Sequence, residues 1–170
     1  MSARASSPSP SVHVGVVNLA RAAERRERMQ PEFAKAGIDA AFFPAIDARE
    51  PENRARLDQM PDTGPWGAVA LHDKACTASH LSLLSEFLAT EASHCLVMED
   101  DAFLSPELGE WLSDLSWWPD GAELVKLERW RDDKLVLIME RAAKTHLNRR
   151  IARLHSRHSG TAGYLISRAG

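Results

Sequence analysis

Residues 95–101 read Cys95-Leu96-Val97-Met98-Glu99-Asp100-Asp101, an apolar run of four that passes without a spacer into three carboxylates. So short and continuous an apolar run, bounded by polar residues, reads as a buried strand. The carboxylates then cluster at its C-terminal end. Three adjacent anions repel one another unless a cation or strong donors lie among them. A set of oxygen donors selects a hard ion such as Mg2+ or Mn2+, which keeps positions for water and phosphate oxygens. An acidic surface turn is the plainer alternative, and the strand directly before the triplet argues against it.

Working outward from this stretch, residues 12–19 (VHVGVVNL) are almost continuously apolar and β-branched, as in a central strand covered on both faces. A helix-forming run follows over 21–36, with Met29 and Phe33 four apart on one face; Pro31 predicts a kink or a split, and Gly37 a stop. A second strand is expected over 41–46, then a helical turn opened by Pro51, then a Pro/Gly-rich loop over 61–67 suited to a mobile flap. Over 73–89, Leu81, Leu84 and Leu88 recur at helical spacing, with Ala75 and Ala78 continuing the stripe.

Beyond the triplet, a helix opened by Ser105-Pro106 is expected, strands are expected over 123–127 and 164–166, and an apolar run covers 135–139. Strands alternating with helices predict an α/β sandwich with a mostly parallel central sheet, in which ligands bind outside the carboxyl ends of the strands. The triplet falls at such a position.

The chain has 170 residues, the size of one domain, and its 44% hydrophobic and 26% charged composition is that of a globular protein. Residues 1–11 are small, polar and proline-punctuated, a frayed leader, so the folded domain spans 12–170. A net charge of -3 argues against a general nucleic-acid partner. Seven Lys or Arg and no acidic residue occupy 141–170; this basic end fits either phosphate attraction or a solvated face. Cys76 and Cys95 lack the spacing of a disulfide framework or zinc motif, which suits a reducing cytoplasm, and Cys76 is expected to pack in the core. No stretch approaches the roughly 20 apolar residues of a membrane span, so any membrane contact is expected to be peripheral, at the inner face.

Several segments match one family in order. Val16-Val17-Asn18-Leu19 with Arg25, Arg28 and Met29, then Ala45-Ile46-Asp47-Ala48, Cys76-Thr77-Ala78-Ser79-His80, the 96–101 stretch, and Gly160-Thr161 with Tyr164-Leu165-Ile166-Ser167 resemble the motifs of glycosyltransferase family 25. That family includes bacterial lipopolysaccharide β-galactosyltransferases and collagen galactosyltransferases. The chain departs from it at Ala48 and Ala75, where the family usually has glycine, and it ends soon after Ser167, where family domains usually continue.

The resemblance implies a GT-A type, Rossmann-like nucleotide-sugar-binding sandwich, a UDP-sugar donor, a glycan or lipid-linked glycan acceptor, and an inverting transfer of a hexose, galactose foremost, assisted by Mn2+ or Mg2+. Asp101 is implied as the direct metal ligand with Glu99 beside it, and Asn18, Leu19, Asp47, His80, Glu99 and Asp100 as donor-binding residues. Asp73 is a further polar candidate, while Arg25 and Arg28 are expected on the solvated face of an Arg/Glu-rich helix. Of the five tryptophans most are expected to be core or edge packing, and Trp66 and Trp130 are the two to test for stacking on a sugar. No residue identifies itself as the general base an inverting reaction needs. A shortened, non-catalytic relative that binds a nucleotide-sugar or a partner protein is the alternative. A metal-dependent phosphohydrolase fits poorly, because Asn18 and Leu19 stand where an Asp-x-Asp nucleophile would follow the first strand.

Overall fold

The computed structural model describes residues 11–128, 136–141, 144–158 and 160–170. Five strands, β1 (Val12–Asn18), β2 (Ala41–Pro44), β5 (His94–Glu99), β6 (Leu124–Lys126) and β9 (Gly163–Ser167), make the central sheet in the order β2-β1-β5-β9-β6. β1 pairs in parallel with β2 and β5, and β9 runs antiparallel between β5 and β6. Four strands therefore share a direction and β9 alone is reversed, a mixed α/β sheet of Rossmann-like character.

Successive strand residues point to opposite faces. Val16, Leu96, Met98 and Leu165 meet Met29 and Phe33 of α1 (Ala23–Ala36) and Trp111 and Leu112 of α4 (Leu108–Ser113) on one face. Val17, Cys95, Val97, Tyr164 and Ile166 meet Leu83 and Phe87 of α3 (Leu71–Leu88) on the other. Cover on both faces explains why neither central strand alternates polar with apolar residues. Gly15 lies under α3: a Cβ there would sit 2.5 Å from Leu83 Cδ1, so the missing side chain lets the helix settle on β1.

Two helix expectations are corrected. α1 runs unbroken through Pro31, which is exposed, while Met29 and Phe33 on the inner side hold both halves against the sheet. The buried face of α3 keeps Ala75 and Ala78 of the predicted stripe, at 4% and 2% exposed, but not its outer leucines: Leu81 and Leu88 are 55% and 54% exposed, whereas Leu83 and Phe87 are 1% and 2% exposed. Leucine spacing allowed either face, and the vacancy over Gly15 selects the one carrying Leu83. α2 (Pro51–Asp58) buries Leu57 against Ala75 and Ala78 of α3.

The 61–67 loop contains a small hairpin of β3 (Thr63–Gly64) and β4 (Gly67–Ala68). The basic end contains a hairpin that the polar sequence did not announce, β7 (Lys144–His146) and β8 (Arg149–Ile151), turned through positive φ at Leu147 and Asn148. Much of its charge has structural work. Lys144 Nζ donates to the Trp118 carbonyl at 2.6 Å, and Arg168 donates to the carbonyls of Leu88, Thr90 and Ala92 at the end of α3. In the expected apolar run, Leu135 lies outside the described residues, and Met139 makes a single bridge to Leu154. Among the described residues no helix is long and apolar enough to cross a membrane.

The topology creates a crevice. The connection from β1 to β2 carries α1 on one face, while the path onward to β5, on the other side of β1, carries α3 on the opposite face. Chain paths diverge at the carboxyl end of β1, the point where open α/β sheets hold ligands.

Candidate functional site

A cleft of about 470 Å3 lies at that point. Leu19 after β1, Asp47 after β2, Cys76 and His80 on α3, and Glu99 and Asp100 at the end of β5 line it, together with Arg21, Arg25 and Arg49.

The acidic triplet is divided between the two sides of the sheet. Asp100 turns toward α1 and is 6% exposed. It accepts from Asn18 Nδ2 at 2.7 Å and from Arg25 Nη1 at 2.8 Å. Asn18, fully buried, is held by Arg26, whose Nη2 donates to its Oδ1 at 2.7 Å. Arg28 Nη2 donates to the backbone carbonyls of Asp100 at 2.8 Å and Ala102 at 3.2 Å. The cation required by the crowded carboxylates is thus supplied in part by the protein itself. Arg25 and Arg28, expected on a solvated face, instead clamp the end of β5, because α1 starts where β1 ends and its first turns face the neighbouring strand's end. Asn18 lies behind the cleft wall as a support for Asp100. Asp101, outside the cleft lining, has a 57% exposed side chain and, among the described residues, one polar contact, 3.4 Å from Arg25 Nη1.

Glu99 turns toward α3. Its Oε1 lies 3.6 Å from His80 Nε2 and 4.0 Å from Cys76 Sγ, and it accepts from the Thr161 hydroxyl. His80 is 7% exposed; its Nδ1 is 3.0 Å from the Tyr164 hydroxyl and the two rings stack at 5.8 Å. Burial lowers the His80 pKa, but the partners Cys76 and Glu99 outweigh burial and raise it to about 9. His80 in turn holds the Glu99 carboxyl below its usual range against the effect of burial, with help from Thr161. Cys76 is exposed on the cleft wall and Cys95 is the fully buried cysteine, the reverse of the packing role expected for Cys76. Burial pushes the Cys95 thiol up to about 12.

Asp47 accepts from Arg21 Nε at 2.6 Å and from the Arg49 backbone N–H at 3.0 Å, and both hold its carboxyl below the usual range. Asp73 lies at the start of α3, where its carboxylate accepts from the Ala70 N–H at 3.2 Å, a capping role. Trp66 is 73% exposed with the Arg157 guanidinium 4.3 Å above its ring, and it is not part of the cleft wall. Trp130 lies outside the described residues. Sequence reasoning passed over Arg21, Arg49, Thr161 and Tyr164 as site residues. The i, i+4 spacing of Cys76 and His80 was the readable signal that both share one helix face.

A Rossmann-like sheet with an arginine- and carboxylate-lined cleft at its switch point defines the class, an α/β protein with its cleft where open α/β sheets hold ligands. The chain belongs to glycosyltransferase family 25: the family model described as "Glycosyltransferase family 25 (LPS biosynthesis protein)" matches residues 12–170. Over 158 residues it is 32% identical to the lacto-N-neotetraose biosynthesis glycosyltransferase LgtE of Neisseria meningitidis and 33% identical to LgtB of Neisseria gonorrhoeae, covering 90% of this chain and 56% of each relative. It is 26% identical over 163 residues to the lipooligosaccharide biosynthesis protein lic2B of Haemophilus influenzae, covering 90% of this chain and 58% of that protein. The chain therefore spans a little over half the length of these relatives.

Proposed function

We propose that the protein is a glycosyltransferase of GT-A type that moves a hexose, galactose foremost, from a UDP-sugar to a cell-surface glycan such as lipopolysaccharide. In this reading an acceptor hydroxyl oxygen bonds to the anomeric carbon from the face opposite the diphosphate. The carbon–oxygen bond to the diphosphate breaks, UDP leaves with the electron pair, and the hydroxyl proton passes to a base. The names of the Neisseria and Haemophilus relatives support the reaction class and the glycan acceptor.

The observation that carries the reading is the cleft, which sets Arg21, Arg25 and Arg49 around the carboxyl ends of β1, β2 and β5. Guanidinium groups suit a diphosphate because their fixed donors match phosphate oxygens. Leu19 and Asp47 would border the nucleotide, Asn18 and Arg25 hold Asp100 at the cleft wall, and Glu99 with His80 forms the α3 side. For the divalent ion implied by the family, Asp101 is the fitting residue of the acidic motif, since its carboxylate is open apart from one 3.4 Å contact. Asp100 is buried with each of its oxygens already accepting a hydrogen bond, and Glu99 faces α3. Mn2+ or Mg2+ bound there with the diphosphate would neutralise charge that grows on the leaving group.

Calorimetry of UDP and UDP-galactose with and without Mn2+ tests the reading. Metal-dependent binding that Asp101→Asn weakens at least about tenfold, roughly 1.4 kcal/mol, is expected. Absence of UDP binding in the wild-type chain, or binding unchanged by Asp101→Asn, would rule out this assignment. Transfer to a lipooligosaccharide acceptor then separates an enzyme from a nucleotide-sugar binder.

A further inference from the structure

We propose that Cys76, His80 and Glu99 form a second metal site, for a divalent transition ion of borderline softness such as zinc, with one coordination position open to the cleft. This site is separate from the hard-ion position at Asp101 and does not depend on the cleft holding a nucleotide-sugar.

The geometry is close to a coordination shell. Cys76 and His80 stand i, i+4 on α3, and Glu99 reaches them from the end of β5. Glu99 Oε1 is 4.0 Å from Sγ and 3.6 Å from Nε2, and all three ligand atoms lie within 4.8 Å of one another. A tetrahedral zinc with bonds of about 2.0–2.3 Å has ligand-to-ligand edges of roughly 3.3–3.6 Å. The nitrogen–oxygen edge already fits, and small rotamer changes at the exposed Cys76 close the rest.

His80 Nε2 is the second observation. It is buried and lacks a hydrogen-bond partner among the described residues, although its ring is otherwise fully held. At 3.6 Å the Glu99 Oε1 is too far to be its hydrogen-bond partner, and a metal ion between the two atoms would satisfy both. The other ring nitrogen meets the Tyr164 hydroxyl at 3.0 Å, and the Thr161 hydroxyl donates to Glu99. Outer partners of this kind fix a ligating imidazole and carboxylate in orientation. A sulfur, nitrogen and oxygen donor set favours zinc or cobalt over Mg2+ and Ca2+. Three protein ligands leave a fourth position, and because Cys76 lies on the cleft wall that position would take water or an oxygen of whatever occupies the cleft.

The test is titration of the full chain, stripped with chelator and kept in a non-thiol reductant, with Co2+ as a spectroscopic substitute for zinc. One equivalent should produce a sulfur-to-cobalt charge-transfer band and the visible bands of a four-coordinate ion, both abolished by added zinc. Cys76→Ser should lose the charge-transfer band. Tyr164→Phe, a change at a positioning residue, should keep the band while weakening affinity about 10–100-fold. Asp101→Asn should leave band and affinity unchanged, which separates this site from the one tested with UDP. Zinc should also protect Cys76 of the wild-type chain from alkylation, a measurement that needs no variant. No charge-transfer band at saturating cobalt, the same band in folded Cys76→Ser, or equal alkylation with and without zinc would each overturn the proposal.

Discussion

Replacing Arg25 by methionine keeps an apolar stem of similar bulk and removes the guanidinium that faces Asp100. The Asp100 side chain is 9% exposed and that of Arg25 53% exposed, so the pair is buried at its acidic end and wet at its basic end. Breaking a fully buried pair costs about 3–5 kcal/mol, and a fully exposed one contributes about 0–1 kcal/mol. Asn18 Nδ2 still donates to Asp100 in the variant, and water can approach from the Arg25 side. A loss of about 1–3 kcal/mol follows, discounted for that exposure. For a chain of this size it lowers Tm by about 3–10 °C. Urea unfolding of the wild type, Arg25→Met, Asp100→Asn and the double variant, followed by tryptophan fluorescence, measures the coupling directly. The double variant should lose less than the sum of the single ones, with a coupling of about 1–2 kcal/mol. Coupling below about 0.5 kcal/mol would mean that Arg25 is not the cation that makes the buried carboxylate tolerable. Arg54→Met, which breaks an exposed pair with Asp58 on α2, serves as a control and should leave the midpoint unchanged.

Leu83→Ala should destabilise by about 2–5 kcal/mol, whereas Leu81→Ala should be nearly neutral; equal midpoints in urea would contradict the orientation of α3. Gly109→Ala would bring a Cβ within 2.4 Å of the Ala36 carbonyl oxygen, so α4 must move away from the end of α1, at about 1–3 kcal/mol by thermal unfolding. Burial raises the Cys95 thiol from 9.0 to about 12, so between those values the unfolded chain releases a proton that the folded chain retains. Stability is therefore unaffected below about pH 9 and falls as pH rises through that window, by up to about 4 kcal/mol for this group alone. Urea midpoints across the alkaline range should flatten in Cys95→Ala, and an unchanged slope would sink the assignment.

The strands and helices that frame the cleft were legible because their patterns are local. VHVGVVN and HCLVME are apolar enough to be buried on both faces, and the residues after each strand were correctly expected at its carboxyl end. The orientation of α3 was not legible, since its leucines and alanines permit more than one inward face and Gly15, some sixty residues away in sequence, makes the choice. The β7–β8 hairpin was hidden for a different reason: its strands are mostly polar and only Ile151 is buried among them.

By itself the sequence determined the α/β character, the family, and the presence of carboxylates at the end of a central strand, because each is written in contiguous residues or ordered motifs. The tertiary structure decided what those carboxylates face. Asp100 meets Arg25 across 75 positions of sequence, and Glu99 meets Cys76 and His80 across the sheet on the other side. Adjacent residues at a strand's end can leave it toward opposite faces, so one acidic motif became two environments, one clamped by α1 and the other opening beside α3.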